Sequence, residues 1–163
     1  NVPFTAKKVL YNYPVESHVY VMDRKSGEQK VFEADSRFTK NVVEKCESGN
    51  YEQWERHNIE NPHFYDLMYL PQTGMYARLH LGGIEFDATR DILNLMDDRD
   101  LYLTFFDKDF VVVGEAKLPS HRYNYFTGWR ETNDGVALFV DNSLDENEKT
   151  EELVLDIVRL QAD

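Results

Sequence analysis

The chain has 163 residues, of which thirty are acidic and eighteen are basic, and its formal net charge is −12 at pH 7. A chain of this length can bury the core of one domain. The negative charge repels nucleic-acid phosphates and anionic lipid headgroups, so we expect no nucleic-acid partner. Most acidic residues are scattered singly, and we interpret them as a solvated surface.

The sequence contains no pattern typical of a metal site or of a membrane span. The single cysteine, Cys46, cannot form an intrachain disulfide, and no Cys or His spacing typical of zinc accompanies it. The acidic clusters do not follow the calcium-binding loop pattern. No apolar run approaches the roughly 18 residues that a membrane helix needs. We therefore predict no metal, no cofactor and no membrane-spanning segment in this chain.

Short runs in which aromatic or β-branched residues alternate with polar ones predict about ten β-strands. Turn residues such as Gly27, Gly74 and Gly135 separate several runs and predict antiparallel hairpins. The fold class is therefore predicted to be all-β. The predicted strands are Val9–Tyr13, His18–Asp23, Gln29–Glu33, Phe64–Leu70, Met75–Leu81, Leu101–Asp107, Phe110–Lys117, Tyr125–Arg130, Val136–Val140 and Leu153–Leu160.

Two longer segments interrupt the strands and predict short helices. Asn50 is followed three residues later by Gln53, as in a capping box, and this predicts a helix near Tyr51–Asn58. Apolar residues at helical spacing predict a second helix near Asp87–Met96. We interpret Trp54 and Met96 as contacts between helix and sheet rather than as ligand contacts. Gly82-Gly83 lacks the pattern of a phosphate loop and predicts a turn.

Two hairpin patterns repeat along the chain. The segment His18–Asp23 resembles Tyr102–Asp107, and in both copies a serine follows the aspartate at the same distance. Tyr65–Leu81 matches Phe126–Asn142 in the same way. Grouped in fours, the strands correspond to about two and a half antiparallel blades of a partial β-propeller, with the helices in insertions. We expect strand edges left open in such a fragment to pair with a second copy, giving an edge-paired or strand-exchanged oligomer.

The sequence resembles a bacterial family of six-bladed, propeller-like lipoproteins known as domain of unknown function 4221. The resemblance is carried by Asn61–Tyr65, Met75–Arg78, Phe105–Phe110, Gly114–Glu115 and Leu118–Pro119. It implies that residues 1–163 are a single domain corresponding to the C-terminal half of a larger β-propeller. It also implies an exported protein that is periplasmic or on the cell surface, tethered through a lipidated cysteine outside this sequence. The family brings no catalytic residues.

No nucleophile motif is present, because Ser120-His121 is a bare neighbour pair and Gly-x-Ser-x-Gly is absent. We therefore predict an extracytoplasmic binding or protein-interaction module for a glycan, a peptide or a protein. The alternative is part of a carbohydrate- or peptide-processing enzyme whose site is completed by the missing blades. Aromatic, guanidinium and imidazole groups suit such ligands, and core packing is the competing interpretation of each candidate. The candidate residues are Trp129, Arg130, Arg78, Tyr69 and His63.

Overall fold

The computed structural model describes residues 7–47, 49–126, 128–142, 144–145 and 152–161. These ranges form eleven strands and two helices, so the fold is mainly β. The strands are β1 (Lys8–Asn12), β2 (Val19–Asp23), β3 (Gln29–Phe32), β4 (His63–Phe64), β5 (Met68–Leu70), β6 (Met75–Leu81), β7 (Leu101–Phe106), β8 (Val112–Lys117), β9 (Trp129–Glu131), β10 (Val136–Phe139) and β11 (Leu155–Val158). The helices are α1 (Tyr51–Glu60) and α2 (Ile92–Asp97).

The strands form three separate antiparallel sheets. The N-terminal sheet has the order β1-β2-β3, and the C-terminal sheet has the order β11-β10-β9. The central sheet has the order β4-β6-β7-β8, and β5 also pairs with β6. Within the described ranges these sheets do not join into a closed barrel. The antiparallel all-β prediction is confirmed at this level.

Both repeated hairpin patterns form, and in each copy of the first pattern an aspartate side chain holds the turn. The Asp23 carboxylate accepts hydrogen bonds from the backbone N–H of Lys25 and Ser26 at the turn between β2 and β3. The Asp107 carboxylate likewise accepts from Asp109 and Val111 at the turn between β7 and β8. An aspartate that bonds to the backbone two residues ahead fixes a tight turn, which explains its place in both copies. The second pattern forms the hairpins β5–β6 and β9–β10.

The central sheet is covered on both faces. Alternate residues of β6 and β7, including Leu79 and Leu103, pack with Val136 and Leu138 of the C-terminal sheet in the larger apolar core. The opposite face contributes Phe106 to a second core, which includes residues from the N-terminal sheet. All six residues of β7 are buried as a result. Burial on both faces explains why this strand is so rich in large apolar residues.

The predicted strand Phe64–Leu70 is divided into β4 and β5 by one extra residue. Phe64 pairs with His80, whereas Met68 pairs with Ala77, so four steps along this segment correspond to three along β6. Beyond the extra residue, side chains therefore face the opposite side of the sheet from the one that strict alternation from Phe64 predicts. Leu67 packs in the core with the N-terminal sheet, and Met68 packs in the core with the C-terminal sheet. An extra residue of this kind is a β-bulge.

Both helices form, with different boundaries from those predicted. The side chain of Asn50 accepts from the backbone N–H of Gln53, so the cap of α1 is confirmed. The second helix starts later than expected, because Asp91 is its cap and Asp87 instead accepts hydrogen bonds from Thr89. Gly82 and Gly83 are not a turn. Gly83 lies where a Cβ atom would be 2.2 Å from the carbonyl oxygen of Glu60, so the backbone approaches the end of α1 closely.

The outer faces of the first and last sheets carry apolar side chains that nothing in the described chain covers. On the C-terminal sheet Leu155 and Ile157 are exposed, on the face that also carries Phe139. On the N-terminal sheet Tyr11 and Tyr20 stack with ring centroids 5.2 Å apart, beside the exposed Val31. Contiguous apolar surface of this kind is typical of an interface.

We predict that the 163-residue chain on its own associates through these faces. The double substitution L155E/I157E places two carboxylates on the outer face of the C-terminal sheet, where burial against a second copy would desolvate them. We expect it to shift the chain toward monomer by light scattering coupled to size exclusion. V111E alters an exposed valine in a hairpin turn and serves as the control. A wild-type chain that stays monomeric at high concentration would contradict the prediction.

Candidate functional site

A groove of about 540 Å³ lies between the two helices and the edge of the central sheet. One wall is α1, another is α2, and a third is the segment at Tyr125 and Phe126 that precedes β9. The floor includes His63 and Tyr65, beside the short strand β4. The volume falls in the range of small-molecule sites, which are concave and mostly apolar.

Large apolar side chains remain exposed along the walls of this groove. Tyr51 and Trp54 stack on α1 with centroids 5.6 Å apart, and their exposed fractions are 70% and 49%. Phe126 is 79% exposed on the facing segment, and Leu93 of α2 is also exposed. Ile59 is the one fully buried residue of α1. The helix therefore turns most of its apolar surface toward the groove rather than toward the core.

Arg99 fixes the position of α1 against the central sheet. Its Nη1 donates to the carbonyl of Asn58 at 3.0 Å and its Nη2 donates to that of Asn61 at 2.6 Å, both at the end of α1. Its Nε donates to Gly82 O at 2.8 Å, just beyond β6. Burial lowers the pKa of Arg99 to about 10, which leaves the guanidinium charged at neutral pH. The helix end accepts this cation well, because its carbonyls carry partial negative charge.

His63 lies at the floor of the groove, where it remains exposed to solvent. Its ring contacts Tyr65 edge to face at 4.9 Å. Desolvation by the surrounding groove, followed by repulsion from Arg99, lowers the pKa of His63 below its ordinary value. The neutral imidazole offers one donor and one acceptor. Together with Arg99, Glu55, His57, Asn58 and Asn61 it supplies the polar groups of a site whose other lining residues are apolar or aromatic.

A second polar cluster is buried between the N-terminal and central sheets, around Arg78. The Arg78 guanidinium donates to the carbonyls of Ser17 at 2.6 Å and Ala34 at 2.7 Å. It also lies over the ring of Phe64 at 4.8 Å and over that of Phe106 at 5.2 Å. The side chain is fully buried. These contacts hold the N-terminal sheet against the central one.

Glu115 and His80 complete this buried cluster. The Glu115 carboxylate accepts from the Thr104 hydroxyl at 3.2 Å and from the Arg37 backbone N–H at 3.0 Å. His80 is fully buried with its ring between Phe64 and Tyr102, and neither ring nitrogen has a hydrogen-bond partner. Burial, followed by repulsion from Arg78, lowers the pKa of His80 to about 3. The imidazole is therefore neutral at physiological pH.

The structure does not bring the five sequence-predicted site residues together. His63 lines the groove, and Trp129 packs behind it with its ring 4.6 Å from that of Tyr65. Arg130 and Tyr69 are exposed on β9 and β5, outside the groove. Arg78 lies in the interior, where its Nη1 and Nη2 donate to backbone carbonyls, so it serves packing. The competing interpretation given above, core packing, describes Arg78 and Trp129.

The residues that form the groove include several that sequence reasoning assigned elsewhere. Trp54 was expected to pack helix against sheet, yet it is half exposed on the groove wall. Tyr125 and Phe126 were expected in a strand, but they precede β9 and form a wall instead. The sequence signal that could have indicated the groove is the presence of adjacent large aromatic residues beside a capped helix. That signal does not separate a core from a groove.

In the part of the chain that the structure describes, no group of three or more His, Cys, Asp or Glu side chains has the arrangement of a metal site. Neither described helix is long and apolar enough to span a bilayer.

Arg78 and Arg130 allow a matched test of the buried cluster. R78L leaves two interior carbonyls without their donor, and we expect it to lower the free energy of unfolding by about 3 kcal/mol. R130L removes an exposed guanidinium on β9, and we expect a change within about 0.5 kcal/mol. Urea unfolding followed by fluorescence measures both. Equal effects of the two substitutions would contradict the structural role of Arg78.

His80 should make the fold sensitive to acid. The pKa of His80 is about 3 in the folded chain and 6.5 ordinarily, so the unfolded state takes up a proton at a higher pH than the folded state does. Stability is therefore lost as the pH falls from about 6.5 toward 3, by about 2 kcal/mol between pH 6.5 and 5.

We expect H80F to reduce this loss when the free energy of unfolding is measured at both pH values. H18Q changes a half-buried imidazole beside Glu16 and is the control. A slope in H80F that equals the wild-type slope would show that His80 is not the titrating group.

The comparisons with known proteins identify a family and a fold. A family model described as a domain of unknown function (DUF4221) matches residues 2–117. No curated protein matches the chain. The fold is similar to that of a crystallised DUF4221 family member from Bacteroides vulgatus, with a TM-score of 0.74 at 18% sequence identity.

That similarity covers 94% of this chain and 43% of the other, so the chain spans less than half the length of this structural relative. At this identity the likeness concerns the fold alone. Because the family model matches residues 2–117 of a 163-residue sequence, the chain belongs to the DUF4221 family.

Proposed function

We propose that this chain is part of an extracytoplasmic binding module that takes its ligand in the groove between α1 and α2. The observation that carries the proposal is the set of exposed aromatic side chains on facing walls, Tyr51 and Trp54 on one and Phe126 on the other. Exposed aromatic surface in a concave site is available to a ligand at little cost in conformational entropy.

The groove also has the composition of a binding site. A ligand site typically combines an apolar lining with a few polar groups that orient the ligand. Here Arg99 and His63 provide those groups, and both are held by contacts with their neighbours. In the other buried cluster, Arg78 donates to backbone carbonyls and Glu115 accepts from Thr104 and Arg37, so these groups support the fold instead.

We also propose that the three sheets are consecutive blades of a larger β-propeller. Three features support this arrangement: the sheets stack face to face, the two hairpin patterns alternate, and the outer faces of the first and last sheets are apolar. Further blades would cover those outer faces in the way that the central sheet is covered here. The extracytoplasmic location and the lipid anchor rest on the family resemblance.

A thermal-shift screen of glycans, peptides and apolar small molecules tests the binding proposal. A ligand at about 100 times its Kd adds about 2.7 kcal/mol of stability, which is about 5 to 10 °C in Tm for a domain of this size. We expect W54A to reduce the shift caused by any hit, because it removes one aromatic wall of the groove.

Y69A is the matched control. Tyr69 is similarly exposed, but it lies on β5, outside the groove. We expect it to leave the shift unchanged. A shift that survives in W54A and is lost in Y69A would move the site away from the helices and would contradict the proposal.

A further inference from the structure

Arg99 places a positive charge at the base of the groove, and its hydrogen-bond acceptors carry no negative charge. Its side chain is 5% exposed, and its hydrogen-bond acceptors are three neutral carbonyls and the Met96 sulfur. Among the described residues no carboxylate lies within ion-pair distance of it, and Glu55 on α1 is the one acidic side chain of the lining. A buried cation in such a setting attracts an anion more strongly than an exposed one does.

The field of Arg99 reaches the space that a ligand would occupy. Burial and, after it, repulsion from Arg99 lower the pKa of His63, whose imidazole lines the same floor. The neutral His63 ring can donate one hydrogen bond to an anion. Of the five N–H groups of a guanidinium, four in Arg99 have acceptors, which leaves one on Nη2.

The overall negative charge of the chain does not outweigh this local effect. Charges on the solvated surface are screened beyond about 10 Å at 0.1 M salt. Arg99, by contrast, is 5% exposed and lines the groove with Met96, Leu93 and aromatic rings, so its charge is screened less than that of a surface cation. Arg99 therefore gives the groove floor a local positive charge, and the apolar and aromatic walls suit an apolar body.

We propose that the groove binds an apolar carboxylic acid, with the carboxylate directed toward Arg99 and His63 and the apolar body against Trp54, Leu93 and Phe126. This inference rests on the proposed function, because it specifies the ligand of the same site. The groove volume of about 540 Å³ accommodates an aryl or alkyl body of moderate length. The one N–H of Nη2 that has no acceptor can donate a single charge-assisted hydrogen bond to the carboxylate.

Three probes that share a 3-phenylpropyl body isolate the contribution of the head group: 4-phenylbutyrate, 3-phenylpropanol and 3-phenylpropylammonium. Titration calorimetry on the full chain gives each Kd. We expect the carboxylate to bind about tenfold more tightly than the alcohol, a difference of about 1.4 kcal/mol, and the ammonium to bind most weakly. The preference for the carboxylate should shrink between 20 mM and 500 mM salt, because it is electrostatic.

Two variants assign the preference to the groove. R99M should bind the alcohol and the carboxylate with similar Kd, because it removes the charge and keeps an apolar stem. Since this variant loses three hydrogen bonds to backbone carbonyls, its fold is checked by circular dichroism. E55Q provides a second measurement that does not disturb the buried contacts. It should weaken binding of the ammonium and leave the carboxylate as tight or tighter.

The outcomes separate this inference from the proposed function. If the three probes bind equally, or the ammonium binds best, and W54A weakens all of them, the groove is a site but the carboxylate inference is wrong. If no probe binds while another ligand from the screen binds in a Trp54-dependent way, the inference is also wrong and the proposed function stands. If no ligand at all depends on Trp54, both are wrong.

Discussion

The guanidinium of Arg78 is the contact on which the packing of two sheets depends. It is buried on the face of the central sheet that also holds His80 and Glu115, and it donates to the carbonyls of Ser17 and Ala34, which lie just before β2 and just after β3. Those carbonyls would otherwise be buried without a donor, which costs free energy. The polar face between the two sheets is stable because one long side chain donates hydrogen bonds to backbone carbonyls at both ends of the β2–β3 hairpin.

Arg99 applies the same chemistry to a helix. It bonds to the carbonyls at the end of α1 and to that of Gly82, so the end of the helix is held beside the end of β6. Gly83 allows the close approach at this point. Because α1 is fixed chiefly at its end, its first turn, with Tyr51 and Trp54, stays free to form a groove wall. The position of Arg99 between α1 and the end of β6 thus has two effects: it fixes the helix, and it brings a positive charge to the groove floor.

Strand positions and turns could be predicted because they depend on local chemistry. Alternation of apolar residues marks a strand wherever it occurs, and Asp23 and Asp107 fix their turns through bonds to residues two to four positions ahead. The cap at Asn50 is local as well. Two features do not follow from local chemistry. One extra residue before Leu67 reverses the alternation of faces, and Asp91 caps α2 in place of Asp87. Both features depend on how the segment meets its neighbours.

The sequence by itself determined the strand pattern, the two hairpin repeats, the two helices and the family, because each depends on residues close together in the chain or on a recurring motif. Only the tertiary structure decided which aromatic and charged side chains are buried. Arg78 and Arg130 have the same chemistry, yet one lies between two sheets and the other faces solvent. Trp54 and Trp129 differ in the same way, one on a groove wall and the other behind it. Burial is a property of the contacts that distant segments make, and these are set by sheet stacking rather than by local sequence.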